Sequence, residues 1–310
     1  LVAAYMEQVD KAGHNHGPDS PEYAAAVRQV DAAIGQLLDG MRREWREAAS
    51  ILGASPFQYW RMVALPILWP SLLGTFAPYV TVSQASVVKI EKDVPLEVAA
   101  LLGCGVSTGW GSATEIGDTR PGDTVVVMGV GGVGINAVQG AEFAGARFVV
   151  AIDPVDFKRK KALEFGATHT FASVAEATAE LPDLTWGKMA EVSIITVGEI
   201  KGEHIQQALS LTGKGGQVIV TGMGDFTQST VDLNLFELTL LQKRVQGAVF
   251  GGVGPRTQIP RLLDLYRSGN LKLDELVTTR YRLQDINQGY RDMFDGKNLR
   301  GVIIYDEQDW

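Results

Sequence analysis

Three glycines, Gly129, Gly131 and Gly134, stand in the spacing G-x-G-x-x-G, with Gly132 and Val133 before the last of them, and Asp153 follows 19 residues after Gly134. Residues of these types can hold a pyrophosphate and a sugar. Gly129 permits a tight turn, Gly131 lets bare backbone approach an anion, and Gly134 lets a helix pack closely on a strand. The start of that helix offers unpaired N–H groups and a partial positive charge. A carboxylate at Asp153 accepts hydrogen bonds from ribose hydroxyls and repels a 2′-phosphate, which favours NAD over NADP. Lys158 and Arg159, a few residues on, weaken that preference by their charge. The glycines alone are equally consistent with an ordinary turn; the elements around them decide.

Those elements alternate. Apolar, β-rich runs occupy 124–128, 148–152, 192–197, 217–221 and 245–250, with a weaker one at 168–171. Helix-compatible stretches fill most gaps, among them 136–143, 157–165 and 204–211. Strands separated by helices pair in parallel, because a parallel pair needs a crossover and a helix supplies it. The expected architecture is α/β with a doubly wound parallel sheet, its ligand at the carboxyl ends of the strands. Before residue 72 the pattern changes: Val27, Val30, Ile34, Leu37, Leu38, Met41 and Trp45 recur at helical spacing, after a Ser20 N-cap and Pro21.

Charge and cysteine content narrow the partners. A net charge of −8 gives no general attraction to nucleic acid or anionic lipid. Cys104 is the sole cysteine of the 310 residues, so no disulfide forms within the chain and no metal site uses two of its thiolates. His14 and His16, two apart in a Gly, Asn and Pro loop, lack a partner at ligand spacing and read as solvated histidines; His169 and His204 are weaker candidates still. The N-terminus LVAAYMEQVD shows no secretory pattern, and cytoplasmic residence is expected. The charge-free stretch 62–88 is long enough to raise a membrane question, but Pro66, Pro70 and Pro78 make it a poor spanning helix.

Longer phrases carry a resemblance. LLGCGVSTGWGSA (102–114), VVVMGVGGVGINAVQGAEFAGA (125–146), DPVDFKRKKALEFGATH (153–169), LFELTLLQKRVQGAVFGG (235–252) and LDELVTTRYRLQDINQGYRDMFDGKNLRGVI (273–303) are similar to the zinc-type, medium-chain alcohol dehydrogenases. The nicotinoprotein, NDMA-dependent branch is the nearest. The resemblance spans about 74–307 and implies a Rossmann NAD-binding domain at 109–248. It makes 74–108 and 249–310 a truncated remnant of the substrate domain, behind a helical segment at 1–73. It implies that Cys104 is a ligand of the catalytic zinc and that Thr108 lies on the coenzyme side of the same turn. Val133 would pack on the nicotinamide with Phe250 near its carboxamide, Lys158 would lie beside the adenosine ribose, and Arg300 would pair with the pyrophosphate. Val197 joins this cofactor-binding set. The implied reaction is hydride transfer between a small primary alcohol or aldehyde and NAD, with zinc polarising the oxygen. The family pairs through the edge strand near 245–250, so a homodimer or higher homo-oligomer is expected.

Two departures keep other readings open. The remaining zinc ligands of the family have no counterpart here, which admits a catalytically silent NAD-binding protein. The phrase EAASILGASPFQYWRMVALP (47–66) resembles the coupling loop of ABC importer permeases, a helix-in-groove element, and admits a permease fragment. The two resemblances abut at LLGTFAPYV (72–80), the expected junction of a fusion.

Overall fold

A computed structural model describes residues 87–222 and 230–305. The helix expected around residues 27–45, His14, His16, the stretch 47–66 and the junction at 72–80 lie outside the described residues. The described residues divide between two compact units, one within 90–279 together with 296–300, the other holding 280–295 and 301–305.

The first unit opens with two short helices, α1 (Leu96–Leu102) and α2 (Gly105–Gly111), the latter running into a π-helical turn at Ser112–Ile116. Strands and helices then alternate: β1 (Thr124–Met128), α3 (Gly134–Phe143), β2 (Phe148–Ile152), α4 (Asp156–Glu164), β3 (His169–Phe171) and α5 (Val174–Leu184). They continue as β4 (Ala190–Ile195), α6 (Gly202–Leu211), β5 (Thr212–Val220), α7 (Leu235–Leu240), β6 (Arg244–Gly247) and α8 (Pro255–Arg267). The six strands form one parallel sheet in the order β3-β2-β1-β4-β5-β6. This is the doubly wound sheet expected from the alternation.

The position of β1 follows from its residues. TVVVM is buried at every position, as a strand flanked on both edges and covered on both faces must be. Val126 pairs with Val150 of β2 on one side and with Ser193 of β4 on the other. Chain order reverses between β1 and β4, so the crevice at their carboxyl ends is the switch point where ligands bind in such sheets. One side of the sheet is packed by Val126, Met128, Val150, Ile152, Leu181, Ile195, Leu209 and Val218. Burial on this scale holds the strand ends, and therefore the loops they carry, in fixed positions.

The strand ends differ from the sequence reading in two places. β5 begins at Thr212, directly after α6, because a bulge between Ala190 and Val192 lets Thr212 pair with Ala190; the Thr212 hydroxyl donates to Ser193 Oγ at 2.8 Å. β6 ends at Gly247, three residues short of the apolar run, which leaves Val249 76% exposed and Phe250 43% exposed. The helix α5 fills the interval between β3 and β4, which the sequence reading did not single out. Its start is capped by Ser173, whose Oγ accepts from Glu176 N–H at 3.2 Å, while the Glu176 carboxylate reaches back one residue further and accepts from Ala172 N–H at 2.9 Å.

In α8, Gln258 is fully buried and neither atom of its side-chain amide has a hydrogen-bond partner. An unsatisfied buried amide costs about 1–3 kcal/mol, and an apolar residue of similar shape removes the penalty. Gln258→Met therefore raises the melting temperature by a few degrees in a circular-dichroism melt, at about 2–4 °C per kcal/mol for a unit of this size. A lowered melting temperature would contradict the assignment.

In the second unit, helix α9 (Ile286–Phe294) is anchored to the end of strand β7 (Val277–Tyr281). The Tyr281 hydroxyl donates to Asp292 at 2.8 Å, and the backbone beyond strand β8 (Arg300–Ile303) returns to Tyr281 through Ile304 N–H at 2.8 Å. β7 and β8 form a two-stranded sheet.

Candidate nucleotide-binding site

The glycine loop starts at the tip of β1. Gly129 has φ +86°, a left-handed conformation that a side chain would strain, and its N–H donates to Ile152 O of β2 at 2.7 Å. The Thr196 hydroxyl, just beyond β4, donates to the carbonyls of Met128 and Gly129 and ties the loop to the opposite side of the crevice. Val197 lies beside it: a Cβ on Gly129 would stand 3.0 Å from the Val197 backbone. A Cβ on Gly134 would overlap the Gly129 carbonyl and lie 2.6 Å from Thr196 Oγ1, which is the close helix-to-strand packing the spacing implied. A Cβ on Gly131 would meet nothing within 4 Å, so that glycine faces open space.

The helix α3 begins here. Ile135 N–H donates to Gly131 O at 2.9 Å, and the Asn136 and Ala137 amides both donate to Val133 O. The amides of Gly131, Gly132, Val133 and Gly134 make no hydrogen bond among the described residues. Four unspent donors at the start of a buried helix, next to a glycine with free space before it, form an anion cradle.

Asp153 is 4% exposed and turned toward the loop. Its Oδ2 accepts from Val130 N–H at 3.0 Å and its Oδ1 from Val155 N–H at 2.9 Å. The carboxylate therefore braces the glycine loop as well as closing β2, and each oxygen keeps lone-pair capacity for a hydroxyl. Arg159, expected to weaken the preference for NAD by its charge, donates to the carbonyls of Asp153 and Pro154, each at 2.8 Å, and to Asp156 at 3.1 Å. Lys158 is half-buried, and a Cβ on Gly296 would lie 3.6 Å from its Cε.

Arg300 lies across the loop. Its guanidinium fills the space beside Gly132 and Gly105, where a Cβ on either glycine would overlap it. Burial pushes the guanidinium below its ordinary value, and the neighbouring Cys104 partly offsets this. A desolvated cation beside unspent amides is suited to a phosphate oxygen. Gly105 and Gly109 carry no signal in the glycine motif, yet both are required. A Cβ at Gly109 would overlap Val133 O, so α2 and α3 meet backbone to backbone.

The remaining candidates are placed less compactly. Thr108 is buried in α2, where its carbonyl accepts from Ser112 Oγ at 2.6 Å. Phe250 has φ +49° and precedes Gly251, which packs on Ser107 and Gly111 of α2. Cys104 is exposed at the start of α2. Among the described residues no group of three or more His, Cys, Asp or Glu could hold a metal ion. His169 Nδ1 is 2.9 Å from the Thr168 hydroxyl and its ring stands edge-on to Phe148. His204 Nδ1 accepts from Lys201 N–H at 3.1 Å, and burial lowers its pKa. Both histidines serve local structure.

A parallel sheet with a glycine cradle at its switch point and an acid at the neighbouring strand tip defines the dinucleotide-binding class. Residues 132–268 match the family model described as zinc-binding dehydrogenase. The NDMA-dependent alcohol dehydrogenase of Amycolatopsis methanolica is 54% identical over 234 residues, covering 76% of this chain and 63% of that protein. The S-(hydroxymethyl)glutathione dehydrogenase of Paracoccus denitrificans is 31% identical over 297 residues, covering 92% of this chain and 77% of that one. The crystal structure of benzyl alcohol dehydrogenase from Acinetobacter calcoaceticus superposes with a TM-score of 0.66 at 30% identity, covering 70% of this chain and 59% of that one.

The chain belongs to the zinc-type alcohol dehydrogenase family. It spans 63–64% of the length of relatives that are 52–54% identical to it. Residues 1–52 match a different family model, type I phosphodiesterase / nucleotide pyrophosphatase, a likeness that the helical periodicity of the stretch did not reveal. That match reaches into the permease-like stretch 47–66, for which these comparisons offer no support. No helix among the described residues is long and apolar enough to cross a membrane.

Proposed function

We propose that this chain is an NAD-dependent alcohol dehydrogenase, transferring hydride between a small alcohol or aldehyde and NAD held in the Gly129–Gly134 loop. The observation that carries the reading is the set of unspent amides from Gly131 to Gly134, open at Gly131 and braced by Asp153. The residues fit the dinucleotide. The loop amides and Arg300 would hold the pyrophosphate, Asp153 and Lys158 the adenosine ribose, and Val133, Val197 and Phe250 the nicotinamide end. Bound there, NAD supplies the hydride acceptor. Around it the buried strand tips exclude water and keep each polar contact strong.

Zinc is the second group the family implies. Cys104 is its candidate ligand here and Thr108 its neighbour on the coenzyme side, but the described residues do not assemble a three-ligand set, and no step is derived through the metal. Residues 109–248 serve as the NAD-binding domain, with 74–108 and 249–310 as the part that faces substrate and 1–73 as an added segment. A second copy of the chain pairs along β6, which is bonded to β5 on one edge and exposed along its length. The net charge of −8 disfavours nucleic acid as a partner, and the site of action is the cytoplasm.

Incubation of the full chain with NAD, a panel of primary alcohols and NDMA as electron acceptor tests the activity. Aldehyde formation coupled to NDMA reduction is the expected result. NAD retained without turnover of any alcohol would overturn the catalytic part of the reading and leave a binding protein.

A further inference from the structure

The carbonyl of Gly132 is passed over by the helix it precedes. Its usual partner in an α-helix, the amide four residues on, belongs to Asn136, and that amide donates instead to Val133 O at 3.0 Å. The Asn136 side chain takes its place, with Nδ2 donating to Gly132 O at 2.9 Å. Behind it, Gln139 Nε2 donates to Asn136 Oδ1 at 3.2 Å and to Lys272 O at 3.1 Å, while Gln139 Oε1 accepts from Lys272 N–H at 2.9 Å. Both side chains are buried, Asn136 completely and Gln139 at 5% exposure.

Two buried amides in series are a costly way to fill the inner face of a helix unless each bond is made. Here the network is closed: it starts on the main chain of Lys272, between α8 and β7, and ends on one carbonyl of the glycine loop. Because a trans peptide points its C=O and N–H in opposite directions, fastening Gly132 O to Asn136 aims the N–H of Val133 away from the helix, on the loop's unspent side.

We propose that Asn136 and Gln139 are positioning residues for phosphate binding, a relay by which the segment at Lys272 sets the orientation of the Gly132–Val133 peptide. The relay touches no nucleotide itself. It rests on the reading of the loop as a pyrophosphate site. Its consequence is selective: a ligand with a pyrophosphate depends on the relay, and a nucleoside without one does not.

The test compares ADP-ribose with adenosine by calorimetry on the full chain. Asn136→Leu, which keeps the volume and removes the bond to Gly132, weakens ADP-ribose about tenfold or more, as loss of a charge-assisted hydrogen bond requires, and changes adenosine less than about twofold. Val138→Ala, a cavity on the same buried helix, provides a variant with lowered melting temperature and an intact relay; it leaves both affinities unchanged. Equal ADP-ribose affinity in Asn136→Leu and wild type overturns the relay alone, as does a parallel loss for both ligands, which marks a structural role. Failure of the wild type to bind ADP-ribose overturns the site reading beneath it.

Discussion

Gly131→Val removes most of the affinity for NAD while leaving the melting temperature of the chain within a degree or so. The two halves of this expectation have separate causes. A Cβ at residue 131 meets nothing within 4 Å and the backbone there is not left-handed, so a side chain starts into open space without backbone strain. The open space it enters is where a pyrophosphate must approach the amides of Gly132, Val133 and Gly134. Losing one charge-assisted hydrogen bond of about 1.5–3 kcal/mol corresponds to about ten- to a hundredfold in the dissociation constant. Titration of NAD alongside a thermal melt checks both halves. A variant that binds NAD normally would show that the anion sits elsewhere.

Gly134→Ala behaves in the opposite way, with stability lost first. Its Cβ would overlap the carbonyl of Gly129 and crowd the Thr196 hydroxyl, and both are held, the carbonyl by the turn at the tip of β1 and the hydroxyl by its own bonds to Met128 and Gly129. Neither neighbour is the free end of a flexible side chain. Overpacking of this kind costs about 1–3 kcal/mol or more, and α3 must shift away from β1 to relieve it. The melting temperature falls by about 6–12 °C for a 3 kcal/mol loss in a unit of this size. An unchanged melt would mean that helix and strand are not in the contact described. The two glycines are three residues apart, yet one responds through binding and the other through folding.

Much of this was legible in the residues because it is local. The turn at Gly129, the start of α3 and the acid at the tip of β2 lie within a single strand-helix-strand unit, where spacing translates directly into geometry. That the strands pair in parallel followed from alternation alone. What escaped the sequence reading is long-range. Gln139 meets the main chain of Lys272, 133 positions away, and nothing at either residue announces the pairing. The slot that Gly105 and Gly132 leave for Arg300 likewise depends on how the far end of the chain returns to the loop.

Other misses have local causes of a different kind. Arg159 read as a charge that weakens the preference for NAD, and sequence distance gave no sign that the turn at Pro154 would offer its guanidinium two carbonyls. The apolar run 245–250 read as one strand, yet pairing with β5 stops at Gly247 and the left-handed pair Phe250 and Gly251 turns the chain toward α2. Periodicity reports which residues prefer burial; it does not report where a neighbouring strand ends.

The account turns on whether bare loop amides and Asp153 together receive the dinucleotide. Native mass spectrometry of the full chain, after incubation with NAD at millimolar concentration and exchange into volatile buffer, asks this directly. One NAD per chain in the wild type and none in Gly131→Val is the predicted result. A wild-type spectrum without NAD, or equal occupancy in both proteins, would contradict it.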